Sequence, residues 1–224
     1  VDVQSGATAI AGAALSATVN LNGGTVCKDP TNLGGALIAC HTAPIDRSIL
    51  FMSFRAGVST ASTGEEGYWP DGILTGTGNT GDTLTFTRGA NTSSYSTNVD
   101  WFLVQFLDNS YAQKGRIAND ATLTPAAGAL GAFTLGRTLS VVSSSIVASD
   151  TSAHPATMVR GQLSGTTTLT LTRGSVNGNQ TGTAKNVNVS WGAHEFPPVK
   201  VVQPDVGETM TVWTPYRIQW EIAN

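Results

Sequence analysis

The sequence predicts an all-β protein: two tandem antiparallel β-sandwich units of jelly-roll-like type, with little or no helix. A heptapeptide that alternates threonine with apolar residues occurs twice, as Thr83–Gly89 and as Thr168–Gly174. Such alternation is typical of a half-buried strand. Short strand-like segments separated by Gly- and Asn-rich turns, roughly every 8–12 residues, are typical of sandwiches and jelly rolls.

The composition agrees with this class and excludes others. Only 12% of the 224 residues are charged, against roughly 25% in a typical soluble domain, while 40% are hydrophobic and can form a sizeable core. The net charge of -3, with Lys and Arg scattered singly, argues against nucleic-acid binding, which needs a basic stripe. No apolar run approaches the roughly 18 residues of a membrane-spanning helix, so no membrane partner is expected.

The first repeat begins with strands within residues 1–19, where glycine and β-branched residues interrupt an Ala-rich stretch. Arg47–Arg55 is almost continuously apolar and is the strongest core strand of the first half. A polar loop at residues 57–68 and the turn residues 69–72 follow it. Further strands are predicted at residues 73–75, 82–87 and 98–107.

The same order of segments then restarts. Phe106 and Phe196 lie 90 positions apart, and the same offset aligns Trp101 with Trp191. Other pairs at similar offsets are residues 47–53 with 137–143, Leu74 with Leu163, and Arg88 with Arg173. The offsets drift only in loops, as expected of a structural repeat. The chain therefore divides into one sandwich repeat at residues 1–111 and a second at residues 112–200.

Residues 20–43 are predicted to be an insertion that decorates the first unit and lies outside its core. Gln4 and Gln113 begin the two repeats, yet 43 positions separate Gln4 from Arg47 and only 24 separate Gln113 from Arg137. The excess of 19 is close to the length of the segment that holds the two cysteines. Cys27 and Cys40 are either joined in a disulfide or free thiols in a reducing compartment.

Residues 201–224 are too few for a third repeat. Two strands are predicted there, at residues 210–213 and 216–222. We expect these C-terminal strands to complete a sheet begun by residues 1–19.

The sequence predicts no catalytic residue, no metal site and no cofactor. His41 adjoins Cys40 but lacks further ligands at zinc-site spacing, and His154 lies in a loop. His194 is predicted to be a surface or interface residue. A carboxylate pair of glycosidase type could be drawn from Glu65, Glu66 and Asp71, but their loop is more typical of a solvated tip. No Gly-x-Ser-x-Gly turn supports a Ser-His-Asp triad.

Four of the five tryptophans divide into two groups. Trp101 and Trp191 occupy equivalent strand positions and are predicted to be core residues. Trp69 and Trp213 have no repeat partner and are the candidates for an interface or for stacking against a ligand. In both repeats an arginine, Arg88 or Arg173, precedes glycine at the end of a strand. We predict that it pins the turn through a salt bridge or carbonyl contacts.

The repeated block resembles repeats of tailed-bacteriophage virion proteins. Their pattern is a Val-Gln-x-Gly start, an apolar strand, Leu-Thr-x-x-Thr-x-Leu-Thr-x-Thr-Arg-Gly, and a strand that ends in a Glu-Phe-like pair. Residues 162–174 with His194-Glu195-Phe196 fit it best, whereas the first copy ends in Gln105-Phe106. The start Val3-Gln4-Ser5-Gly6 is also similar to that of H-type lectin sandwiches.

The phage resemblance implies a structural protein on a virion surface, a capsid-decoration or tail component, assembled in the host cytoplasm. Its partners would be other virion proteins and further copies of itself, and it would act by adhesion between subunits. The alternative is a carbohydrate-binding or adhesin module, with Trp69 stacking on a host-surface glycan. A third class, a hydrolase, would need clustered Ser, His and Asp or two carboxylates in a deep pocket.

Overall fold

A computed structural model describes residues 1–29, 36–56, 69–89, 95–108, 110–120, 130–146, 159–173, 187–203 and 219–222. These residues are nearly all β and include no α-helix, which confirms the predicted all-β class. Every pair of neighbouring strands is antiparallel.

Sixteen strands make up the described part of the chain. The first half contributes β1 (Asp2–Ile10), β2 (Ser16–Asn20), β3 (Val26–Lys28), β4 (Leu37–Ala39), β5 (Ala43–Pro44), β6 (Ser48–Ala56), β7 (Pro70–Thr77), β8 (Thr80–Arg88) and β9 (Thr97–Gln105). The second half contributes β10 (Tyr111–Asp120), β11 (Thr138–Ile146), β12 (Val159–Gly165), β13 (Thr168–Arg173), β14 (Val187–Glu195), β15 (Val199–Gln203) and β16 (Gln219–Ile222). Short 3-10 turns, Ile45–Arg47 and Leu135–Arg137, precede β6 and β11.

The first unit, β1 to β9, is a sandwich of two sheets. One sheet has the strand order β4-β3-β1-β9-β6, and the other is built around β8, which pairs with β2, β5 and β7. Alternating residues of both sheets point inward and form one buried core. That core contains Ile10, Val19, Leu21, Cys27, Cys40, Ala43, Leu74, Leu84, Phe86, Val99, Trp101 and Leu103.

The second unit, β10 to β14, repeats the central strands of the first. Its three-stranded sheet has the order β10-β14-β11, and the hairpin β12-β13 forms a second sheet. Its separate core contains Leu130, Phe133, Leu169, Leu171, Val187, Val189, Trp191 and Ala193. The expectation that Trp101 and Trp191 are core residues is confirmed, since they are 2% and 8% exposed.

The strand registers show why the repeated sequence needs a glycine near its start. Gly6 lies opposite Trp101 and Gly115 lies opposite Trp191. A Cβ atom at either glycine would come within 2.7 Å of Cζ2 of the facing indole. In both units the ring therefore covers the backbone of the neighbouring strand, and only glycine leaves room for it.

The glutamine two positions earlier also has the same function in both units. The amide of Gln4 clamps His41 by donating to its carbonyl oxygen and accepting from its backbone N–H, each at 2.8 Å. Gln113 accepts a hydrogen bond from the backbone N–H of Gly131, again at 2.8 Å. Each glutamine thus fixes the segment that leads towards the last strand in the order of its sheet, β6 in the first unit and β11 in the second.

The prediction that residues 20–43 lie outside the core is wrong. Leu21, Cys27, Cys40 and Ala43 are buried core residues. β3 and β4 extend the first sheet beyond β1, and β5 joins the second sheet. The added segment completes both layers of the first unit, because each short strand finds an edge with unpaired backbone groups.

The C-terminal strands also differ from the expectation. β16 pairs with β15, whereas the strands at the start of the chain pair with β3, β8 and β9. Pairing between strands close in sequence involves less loop-closure entropy than pairing with the distant N-terminus. The predicted strand at residues 210–213 lies outside the described residues.

Arg88 pins its turn through carbonyl contacts, as predicted. Its guanidinium donates to the carbonyl oxygens of Ala11, Gly12, Ala14 and Tyr95 and to the hydroxyl of Thr97. The side chain is 2% exposed, so these acceptors replace the water that it loses. The side chain of Arg173 lies outside the described set.

Candidate functional site at the junction of the two units

The contact between the two units, which we call the junction, lies on one face of the β10-β14-β11 sheet. Successive residues of a strand point to opposite faces, so the face opposite Trp191 carries Lys114, Arg116, Ser190 and His194. This face packs against β6, β7 and the 3-10 turn Ile45–Arg47 of the first unit. Two groups on this face, Lys114 and His194, have lowered pKa values.

A buried aspartate of the first unit is held by three side chains of the second. Asp71 Oδ2 accepts hydrogen bonds from Nε of Arg116 at 2.8 Å and from Oγ of Ser190 at 2.7 Å. Its Oδ1 accepts from Nη2 of Arg116 at 3.2 Å and from Oγ of Ser145 at 2.8 Å. Asp71 is 1% exposed, so this pairing supplies the compensation that a buried carboxylate requires.

Asp71 therefore does not lie on a solvated loop tip, as the sequence suggested. It is the second residue of β7, where the neighbouring backbone N–H of Gly72 also donates to Oγ of Ser143 at 3.1 Å. Glu65 and Glu66 lie outside the described residues. Because Asp71 already has three donors, it serves as an anchor between the units and not as an available general base.

A histidine stacks between two phenylalanines at the other end of the same face. The His194 ring lies 3.7 Å from the ring centroid of Phe106 at an interplanar angle of 25°, and it meets Phe196 edge to face. His194 is fully buried, and neither ring nitrogen has a hydrogen-bond partner among the described residues. Burial lowers the pKa of His194, against the opposing effect of the Asp108 carboxylate, so the ring is neutral at pH 7.

A cavity of about 520 Å³ lies between these two contacts. Most of its lining is apolar and comes from both units, with Phe51, Met52 and Trp69 on one side and Val141 and Trp191 on the other. Its volume falls within the roughly 300–1,000 Å³ of small-molecule sites. Gly192, at the centre of the face, lines the cavity and has no side chain to fill it.

Lys114 lines this cavity, and its pKa is lower than that of an ordinary lysine. Its Nζ atom is buried and makes no hydrogen bond within the described part of the chain. Burial lowers the pKa of Lys114 to about 8, although the Asp46 carboxylate acts in the opposite direction. The amine is thus easier to deprotonate than an ordinary lysine.

The predicted site residues fall in different places. Trp69 lines the cavity, with its ring centroid 6.2 Å from that of Phe54. Cys27 and Cys40 form a disulfide in the first core, far along the sheet from the junction. Trp213 and His154 lie outside the described residues. His41 contacts Asp2, with Nε2 2.5 Å from Oδ2.

Sequence reasoning missed Lys114, Arg116 and the anchoring role of Asp71. All three occupy strand positions where the repeats differ: Ser5 corresponds to Lys114, Ala7 to Arg116, and Arg160 to Asp71. A charge that is absent from the equivalent strand, or has the opposite sign there, was the signal that could have located the junction.

Across the described ranges, no group of three or more His, Cys, Asp and Glu side chains is placed to hold a metal ion. No helix of the described residues is long and apolar enough to cross a membrane.

Comparison with known proteins does not assign the chain to a family. No family model, curated protein or solved structure matches it.

Proposed function

We propose that the chain is a structural component of a tailed-phage virion surface, a capsid-decoration or tail protein that acts by adhesion between subunits. The observation that carries the proposal is a sheet face of the first unit that exposes several large apolar side chains. We call it the outer face: the side of the β4-β3-β1-β9-β6 sheet that points away from the core.

The outer face exposes large apolar side chains on both sides of a polar centre. Leu37, Lys28, Ser5, Phe102 and Phe51 form one row across the five strands, with Lys28 and Ser5 between Leu37 and Phe102. Leu37 is 71% exposed, Phe102 is 44% exposed, and Val26, in the next row, is 58% exposed. A surface that exposes several large apolar side chains is a candidate protein interaction site.

The construction of the molecule suits this role. The junction anchors one unit to the other through Asp71 and Arg116, so the surface presented to neighbours is stiff. The low charge adds little repulsion between copies. Many weak contacts, repeated over a symmetric lattice, would give firm attachment by avidity.

Mass spectrometry of purified phage particles whose genome encodes the chain tests the proposal. We expect the chain at a fixed copy number per particle, with an intact mass that is lower by two hydrogen atoms because Cys27 and Cys40 are joined. Absence from the particles, or a copy number that falls with each purification step, would refute it.

Glycan binding is the second candidate, because Trp69 lines a cavity of ligand size. An indole ring that borders a cavity can stack on a sugar. A glycan array probed with the wild type and with Trp69→Ala tests it: binding that the substitution abolishes supports a lectin. Equal or absent signals for both proteins count against it.

A further inference from the structure

We propose that chains assemble head to tail, with the outer face of one copy receiving the β11–β12 edge of a second copy. This contact would repeat, between molecules, the junction that joins the two units within each molecule. The inference deepens the proposed adhesive function by naming its partner, a second copy of the same chain.

Each unit has both of the surfaces that form the junction. The docked face of the second unit, on β10, β14 and β11, corresponds in register to the outer face on β1, β9 and β6. The receiving edge of the first unit, on β6 and β7, corresponds to the edge on β11 and β12. Within the described part of the chain, the junction uses one surface of each unit, while the outer face and the β11–β12 edge contribute to it only at its border, where Phe51 and Val159 line the cavity.

The charges are reversed at the positions equivalent to the Asp71 anchor. Asp71 on β7 corresponds to Arg160 on β12, and its partner Ser190 on β14 corresponds to Asp100 on β9. In the junction the carboxylate, Asp71, is on the edge. In the proposed contact the carboxylate, Asp100, is on the face, and the edge carries the cation Arg160. Both Asp100 and Arg160 are exposed, so a second copy docked in this way would pair them.

The backbone contact beside the Asp71 anchor also has an equivalent. In the junction, the N–H of Gly72 donates to Oγ of Ser143. Gly161 and Ser53 hold the equivalent positions, so the same donor and acceptor recur across the proposed contact. Ser53 is exposed, which leaves its hydroxyl accessible to a partner.

The centres of the docked face and of the outer face differ in one large side chain. Gly192, at the centre of the docked face, corresponds to Phe102 at the centre of the outer face. Where the junction has an empty space of about 520 Å³, the contact between molecules would have the phenyl ring of Phe102. The apolar edge would thus bury a side chain that is 44% exposed in the single chain.

Such a contact joins two different surfaces, so each added copy leaves one face and one edge free. A heterologous interface of this kind produces rings when its rotation closes and filaments when it does not. Apolar burial around Phe102 would supply most of the affinity, and the Arg160–Asp100 pair would set the register.

Charge-swap variants of the full chain test the inference by sedimentation velocity over a range of concentrations. We expect wild-type chain to form species larger than a dimer. Asp100→Arg and Arg160→Asp should each weaken association about tenfold or more, because like charges then face each other. An equimolar mixture of the two variants should recover assembly, since each supplies the charge that the other lacks, and the chain with both substitutions should recover it too. Circular dichroism checks that each variant is folded.

A wild type that remains monomeric overturns the inference, as do single variants that assemble like the wild type or a mixture that does not recover. These outcomes are separate from those of the particle experiment. A chain found in virions but monomeric in solution retains the proposed function and loses this partner. A chain that assembles but is absent from virions retains the partner and loses the function.

Discussion

Arg116 and Asp71 form a two-point ion pair across the junction, with Nε 2.8 Å from Oδ2 and Nη2 3.2 Å from Oδ1. The two partners differ in solvation, since 31% of the arginine side chain is exposed and only 1% of the aspartate side chain. Loss of the arginine would leave a buried carboxylate with two hydroxyl donors, whereas loss of the aspartate would leave a cation that water can reach.

We therefore expect Arg116→Met to lower the free energy of unfolding by about 3 kcal/mol, because an uncompensated buried charge is left behind. Urea denaturation measures the loss. The matched control is Arg116→Met combined with Asp71→Asn, which removes the charge and should recover part of the loss. A single substitution that costs less than about 1 kcal/mol would show that the carboxylate is not sealed from water.

The close approach of the two layers in the second unit gives a second prediction. A Cβ at Gly161 would lie 2.3 Å from Cγ2 of Val142, whereas the nearest atom to a Cβ at Gly192 is 4.0 Å away. We expect Gly161→Ala to destabilise by about 1–3 kcal/mol through overpacking. Gly192→Ala, in the same unit, should be neutral or slightly stabilising. Similar thermal midpoints for both variants would contradict this.

The buried amine of Lys114 should make the stability of the protein depend on pH. Its pKa falls from 10.5 to about 8 in the folded chain, so between these pH values the unfolded chain binds more protons and stability rises with pH. Below pH 8 both states are protonated, and the folded state carries the full penalty. Lys114→Met should therefore stabilise the protein by up to about 3 kcal/mol at neutral pH, with Asp46 retained in both proteins. A gain that is equal at about pH 7 and pH 10.5 would mean that packing, not charge, is its source.

The buried imidazole of His194 should make the folded protein less stable in acid. Because burial lowers its pKa in the folded chain, the unfolded chain takes up the proton first, and stability falls as pH drops below about 6.5. His194→Phe should keep the stack on Phe106 and remove two buried nitrogens without partners, which adds on the order of 1 kcal/mol. Urea midpoints of the variant should change less than those of the wild type between about pH 7.5 and 5. Asp108 and the other two histidines are common to both proteins, so an identical pH response would exclude His194 as the source.

Local patterns were sufficient for most strands. Thr83–Gly89 alternates as a strand with one buried face must, and Leu84 and Phe86 are fully buried. The equivalence of Trp101 and Trp191 likewise followed from a constant spacing. These features depend on side-chain periodicity, which is present in the sequence itself.

The predictions from sequence that were wrong depend on contacts between segments that are distant along the chain. Residues 20–43 resemble a polar insertion because they are rich in Gly and Asn, yet Leu21 and Cys27 fill the core that β8 and β9 leave open. Asp71 sits among turn residues, and its burial depends on Arg116, 45 positions later. Composition alone does not show which edge a short strand will join or which unit will cover a carboxylate.

The position of the first core along the chain has a consequence for biosynthesis. Every strand of the first unit ends by Gln105, so this sandwich is complete while the ribosome is still making the second half. Domains tend to fold as units in the order of synthesis. We expect the first unit to be folded, with Asp71 and Phe106 in position, when Arg116 and His194 emerge from the ribosome. The second unit then folds against a surface that has already formed.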